Sequence, residues 1–204
     1  MSKWIICLVF GLSFFIHIHL VQAIEVNLSK SEAEQAISWG EREEKEHILR
    51  KCKFRCSTSI HEYGYLITKY ADLALAASKA KEKGNKLSEE EQKEVLSRKD
   101  FIVEIHTVGD RIDFAREYSL VIITSRSIKG RRELEVVAPT KTESDTLGKP
   151  RETWPMSPGY EAVVKGFFPY EKIRPKEKII VILIRSKWEE EKELRFDVNL
   201  SQYK

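Results

Sequence analysis

Asp100-Phe101-Ile102-Val103-Glu104-Ile105-His106 is the stretch at which the chain changes its period. Phe101, Val103 and Ile105 alternate with Glu104 and His106, the two-residue repeat of a strand with one face in a core. Tyr118 to Thr124 is nearly all apolar, Gly130 turns the chain into Leu134, Val136 and Ala138, and Tyr160, Ala162 and Val164 follow. Lys178 to Ile184, then Leu194, Phe196, Val198 and Leu200, complete the series. About six strands in roughly 100 residues match the scale of an immunoglobulin-like β-sandwich. The last strand sets Glu193, Arg195, Asp197 and Asn199 outward, so one of its faces is wet. Ile179-Ile180-Val181-Ile182-Leu183-Ile184 does not alternate and calls for cover on both faces.

Upstream of Asp100 the signals are helical. Ser31 and Glu34 have the spacing of a capping box. Ala33, Ile37, Gly40 and Ile48 then share a face, with Ala36 and Leu49 beside them. A break at Glu62-Tyr63-Gly64-Tyr65 precedes a second helix, Thr68 to Lys83, with a small-residue face of Ala71, Ala74, Ala77 and Ser78 beside Leu75. Gly84-Asn85 ends it, and Ser88 with Glu91 caps a short third helix reaching Ser97. The expected fold is α+β. A helical segment of two to three helices, residues 24–99, packs on an antiparallel immunoglobulin-like β-sandwich, residues 100–204, as one structural unit. The helices are the expected cover for Lys178–Ile184, with a partner protein as the alternative.

Residues 1–23 read differently. They hold no acid and one lysine, Lys3, followed by an apolar run from Trp4, and they close on Val21-Gln22-Ala23. This is the pattern of a signal peptide cleaved before Ile24. An uncleaved anchor is the alternative, because Trp4–Ala23 has the length of a bilayer span; His17 and His19 weigh against it. The rest of the chain is expected outside the cytoplasm, in the periplasm or extracellular space, touching a membrane only through a retained leader. Lys+Arg 35 against Asp+Glu 32 leave a net +3, so no global field draws the protein to nucleic acid. With 42% hydrophobic residues the chain is not intrinsically disordered. Few amides amid abundant Lys, Glu and Ile point to a heat-adapted prokaryotic source.

Four places carry residues with chemical potential. His47, Cys52, Cys56 and His61 are spaced H-x4-C-x3-C-x4-H. In an exported chain with two cysteines past the leader, the expectation is a Cys52–Cys56 disulfide. It requires a helix to end near Cys52, because i,i+4 positions on a regular helix aim their Cβ atoms poorly. Free thiols, or a zinc site of two thiolates and two imidazoles, stay open as alternatives. Arg50, Lys51, Lys53 and Arg55 surround the pair and favour a thiolate, which would suit a thiol-redox role, although the spacing is not C-x-x-C.

The second place is the hairpin with Arg126, Lys129, Arg131 and Arg132, which either holds an anionic group or guards a sheet edge with like charges. The third is Pro139–Gly159, a polar, proline-rich loop with Trp154 and Met156 as candidate ligand or partner contacts. The fourth is Glu104 with His106, and Asp110 and Asp113 in the next turn, an acid–base or weak metal group unless it is a solvated strand face. No G-x-S-x-G, H-E-x-x-H or glycine-rich phosphate loop occurs. The expected function is a non-catalytic interaction module of a cell envelope, without a cofactor, contacting a protein or glycan through the long loop and a sheet edge. A thiol-redox or zinc-binding protein using Cys52 and Cys56 is the alternative.

Overall fold

The computed structural model describes residues 27–128, 131–152, 158–175, 177–186 and 192–203, with the side chains of 126–132 also outside the description. Ser29 starts the first helix, α1 (Lys30–Arg42). Its hydroxyl accepts from the Glu32 N–H, and the Glu32 carboxylate accepts from the Ser29 N–H at 2.9 Å. This capping box lies ahead of the Ser31–Glu34 spacing that the sequence offered. Glu43 and Glu44 adopt extended backbone, so the expected single first helix is two, and α2 runs Lys45–Cys52. Thr68 caps α3 (Lys69–Glu82), and a second capping box, Ser88 with Glu91, starts α4 (Glu89–Ser97).

Ten strands accompany these four helices among the described residues. They are β1 (Lys53–Arg55), β2 (Tyr63–Ile67), β3 (Asp100–Gly109), β4 (Ser119–Ile128) and β5 (Arg131–Val137), then β6 (Lys141–Ser144), β7 (Lys149–Pro150), β8 (Tyr160–Pro169), β9 (Lys178–Ile184) and β10 (Glu193–Asn199). The protein is therefore a mixed α+β fold with two antiparallel sheets, ordered β1-β2-β3-β8-β6 (with β7 also on β8) and β10-β9-β4-β5. All six strands expected from Asp100 onward are present. Four further strands are not among the expectations: β1 and β2 arise within the helical segment, and β6 and β7 within the Pro139–Gly159 loop.

One core joins the two sheets. Phe101, Val103 and Ile105 of β3 and Val164 and Phe168 of β8 are buried in the same cluster as Leu120 and Ile122 of β4, Val181 and Leu183 of β9, and Phe196 of β10. The alternation of β3 is complete, every second residue being buried from Phe101 to Gly109. A second cluster, Ala36, Leu73, Ala77, Leu87 and Val95, holds α1, α3 and α4 together. A third brings Cys52 and Leu49 of α2 and Ala71 and Leu75 of α3 against Tyr65 and Ile67 of β2 and Ile102 of β3. The helices thus meet the first sheet, not β9. Connectivity explains it: α3 and α4 lie between β2 and β3, which are neighbours in that sheet. Ile180, Ile182 and Ile184 of β9 keep a half-buried outward face in the other sheet.

Gly40 sets how closely α1 crosses α3. A methyl group there would run into the Ala74 carbonyl and the Ala77 methyl, and a backbone carbonyl inside a helix has little room to yield. Gly40→Ala is therefore expected to destabilise the fold by about 1–3 kcal/mol despite the better helix propensity of alanine, read as a lower urea midpoint at unchanged slope.

Candidate functional site

A cluster of ionisable and aromatic side chains lies on the outward face of β2, β3 and β8. Gly64 and Leu66 of β2 are buried, with Gly64 against Phe54 and Ile105, so Tyr63 and Tyr65 fall on the opposite face. Register then sets Tyr63 beside His106 and Tyr65 beside Glu104, while Lys165 pairs with Glu104 from the other side. The Tyr63 ring stacks on the His106 imidazole at 4.7 Å between centroids, and Tyr65 meets it edge-on at 5.3 Å. Lys53 Nζ stands 3.7 Å from the centre of the Tyr63 ring. Glu104 uses both oxygens: Oε1 lies 2.9 Å from His106 Nε2, and Oε2 lies 2.8 Å from Lys165 Nζ.

Glu104 is held ionised at the centre of this cluster by its two cationic partners. Burial alone would raise the Glu104 carboxyl, but the hydrogen bonds and charges of His106 and Lys165 outweigh it and hold the group down at about 2. Burial pushes the Tyr65 phenol up to about 12, helped by Tyr63 and the Glu104 charge. Neither group changes protonation near neutral pH, where general acid–base chemistry operates. Asp110 and Asp113 do not join them. They lie beyond the end of β3, where Asp113 accepts two hydrogen bonds from Arg111, at 3.1 and 3.0 Å, and both line a cavity of about 600 Å³.

The same cavity is walled by a pair that the sequence did not reveal, Glu62 and Arg185. Arg185 Nη2 donates to Glu62 Oε1 at 2.5 Å, the other Glu62 oxygen accepts from the Ser59 hydroxyl, and the Glu62 side chain is only 3% exposed. The two residues are 123 positions apart, so no local spacing could have announced them.

Cys52 and Cys56 are two free thiols, which corrects the expected disulfide. A helix does end at Cys52, as a bridge would require, but the chain then runs extended as β1. Four extended residues carry the second cysteine roughly 13 Å along, when a bridge tolerates no more than about 7 Å between Cα atoms. Cys52 lies with Ile67 and Ala71 under the helices, whereas Cys56 enters the core shared by the sheets, its Sγ 3.4 Å from Thr58 Oγ1. Burial pushes the Cys52 thiol up to about 12, far from the depressed value of a reactive thiolate. His47 and His61 are both exposed, and His47 Nδ1 lies 3.6 Å from Glu43 Oε2. Among the described residues no three His, Cys, Asp or Glu side chains converge as a metal site, so the H-x4-C-x3-C-x4-H quartet is not assembled.

Trp154 and Met156 lie outside the described residues, as do Lys129 and the side chains of Arg126, Arg131 and Arg132. The sheet edge beside that hairpin is described, and it is unusual. On edge strand β5, Leu134 is 72% and Val136 is 63% exposed. They share the outward face of β10-β9-β4-β5 with Val121 and Ile123 of β4 and the three half-buried isoleucines of β9. The unbroken apolar run at Ile179–Ile184 was the trace of this second apolar face in the sequence. No protein-family model, curated protein or solved structure matches the chain.

Two measurements check these assignments. A carboxylate depressed on folding contributes stability that is fully present above its unfolded value near 4.5 and lost as pH falls toward 2. Glu104→Gln is therefore expected to lower stability at pH 7 by up to roughly 3 kcal/mol, with wild type and variant converging as the pH drops through that window. For the thiols, the intact mass should not change on reduction. Iodoacetamide at pH 8 should leave Cys52 unmodified in the native protein and alkylate both cysteines in urea.

Proposed function

We propose that this protein is an exported, non-catalytic interaction module of the cell envelope, built on an immunoglobulin-like β-sandwich with its helical segment packed on one sheet. Strand order supports the sandwich reading. Taken from β2, the sheet orders β2-β3-β8-β6 and β10-β9-β4-β5 correspond to A-B-E-D and G-F-C-C′ of an immunoglobulin-like domain. Export is supported by the leader pattern, with Lys3, the apolar run and Val21-Gln22-Ala23 ahead of Ile24. The observation that carries the interaction role is the outward apolar face of β9, β4 and β5, ending at exposed Leu134 and Val136 on a sheet edge. A contiguous apolar patch of this kind is a mark of an association surface. Nothing favours chemistry at Cys52 and Cys56, which are buried apart from each other.

The test uses the whole chain expressed with its leader in an oxidising compartment. Its mature mass should begin at Ile24. A photo-crosslinking residue in place of Leu134 should give a defined protein adduct in the envelope, where the same residue in place of exposed Glu90 on α4 gives none. A retained leader would overturn the export reading, and equal labelling at the two positions would overturn the interaction role.

A further inference from the structure

A cavity of about 710 Å³ lies among α1, the end of α2, the start of α3 and β2, inside the ~300–1,000 Å³ range of small-molecule sites. Its floor is apolar and buried. Cys52 of α2, Leu66 of β2 and Ala71 of α3 form it, none of them more than 4% exposed. One wall is the half-buried pair Trp39 of α1 and Tyr70 of α3, stacked with ring centroids 5.9 Å apart. Exposed polar side chains make the rim, and three of them are charged: Glu34, Arg42 and Lys51. Glu34 lies 4.0 Å from Lys30 on its own helix. Among the described residues the Arg42 guanidinium engages only through Nε, which donates to the Ser38 carbonyl at 3.1 Å, and Lys51 has no ion pair. The rim keeps an excess of positive charge.

We propose that this cavity binds a small organic anion with an apolar, ring-bearing body, the rings seated against Trp39 and Tyr70 and the anionic group held at Arg42 and Lys51. Each half of the lining selects one half of the ligand. The floor offers no charged group, so it rewards apolar surface taken out of water and not a wholly polar solute. The aromatic wall favours a flat ring through offset or edge-on contact. At the rim a guanidinium and an ammonium suit a carboxylate, sulfonate or phosphate, and their exposure means that binding need not bury a charge completely. A cationic ligand would find only Glu34, which already has Lys30 beside it. Glu32, whose charge also reaches Tyr70, is committed to the Ser29 capping box. Arg42 and Lys51 complement the C-terminal ends of α1 and α2 as well, which accounts for their charge but not for the apolar cavity and stacked rings they border. The site shares no residue with the apolar face of β9, β4 and β5, so it goes beyond the interaction role and stands apart from it.

Fluorescence titration with anilinonaphthalene sulfonate, excited beyond the tryptophan band, tests this against phenylnaphthylamine, which has the same rings and no sulfonate. Circular dichroism and the urea midpoint confirm that each variant is folded. Wild type should bind the sulfonate saturably and at least about tenfold tighter than the neutral analogue. Arg42→Gln with Lys51→Gln should remove that preference and leave the affinity for the neutral analogue unchanged. Leu134→Lys with Val136→Lys, which makes the sheet edge polar, should keep the sulfonate site. Adding Ser38→Trp to that variant, at an exposed rim position where the indole fills the cavity, should abolish binding of both probes. Absence of saturable binding, equal affinity for the two probes, or binding that survives Ser38→Trp overturns the proposal. Loss of binding with Leu134→Lys and Val136→Lys alone puts the probe on the sheet face and overturns it too. None of these outcomes alters the Leu134 crosslink, so the interaction role is judged separately.

Discussion

β3 is hydrogen-bonded on both sides from Ile102 to His106, to β2 and to β8, and buries every second residue of its length. Because strand side chains alternate faces, a slip of one residue would turn Phe101, Val103 and Ile105 outward and drive Glu104 and His106 into the core. An ionised carboxylate in that core, away from Lys165, would be strongly unfavourable. The core therefore fixes the register, and the register fixes the polar cluster outside. The helices depend on the same strand: α3 and α4 connect β2 to β3, and α2 and α3 rest on Ile67 and Ile102 of the outward face.

β3, β8 and β10 were legible because each buries one face and so writes a period of two, and β4 and β9 because they are apolar runs. In β5 the alternating Leu134 and Val136 mark the exposed face, while Val137 enters the core. β2 was not legible. Gly64 interrupts its apolar alternation, and its outward residues are the two tyrosines, so the segment resembles a break between helices. β6 carries Lys-Thr-Glu-Ser at the edge of its sheet, pairs only with β8 and buries no side chain, which leaves no hydrophobic trace. The division of the first helix at Glu43–Glu44 was hidden because Gly40 and Ile48 fall on a common helical face, although they belong to α1 and α2.

Part of the polar cluster could be read from the sequence, since Glu104 and His106 stand two apart on a strand and must share a face. Their partners Tyr63, Tyr65 and Lys165 arrive through pairing across the sheet, which local spacing does not encode. Glu62 with Arg185 is the same case at greater separation. The cysteines show the opposite failure. Their short spacing favoured a bridge, but everything depended on whether the chain turned or extended after Cys52. Lys53, Phe54 and Arg55 extend, because Phe54 reaches the shared core to meet Phe196 edge-on at 5.6 Å.

The pairing of Phe101 with Phe168 has a kinetic side. β4–β5 and β9–β10 are local hairpins that close within microseconds, whereas β3 must wait for β8 across a long intervening chain, and such non-local pairing slows folding. Meanwhile Ile179–Ile184 stands bare on both faces, a six-residue run of high β-propensity without charge or proline, which is the composition that seeds aggregates. Lys178 and Arg185 bracket it. Charges at the borders of an unavoidable apolar strand act as gatekeepers against intermolecular pairing. In the folded protein Arg185 is drawn in by Glu62, so its exposed, protective charge belongs to the unfolded chain and is spent only once the two sheets have met.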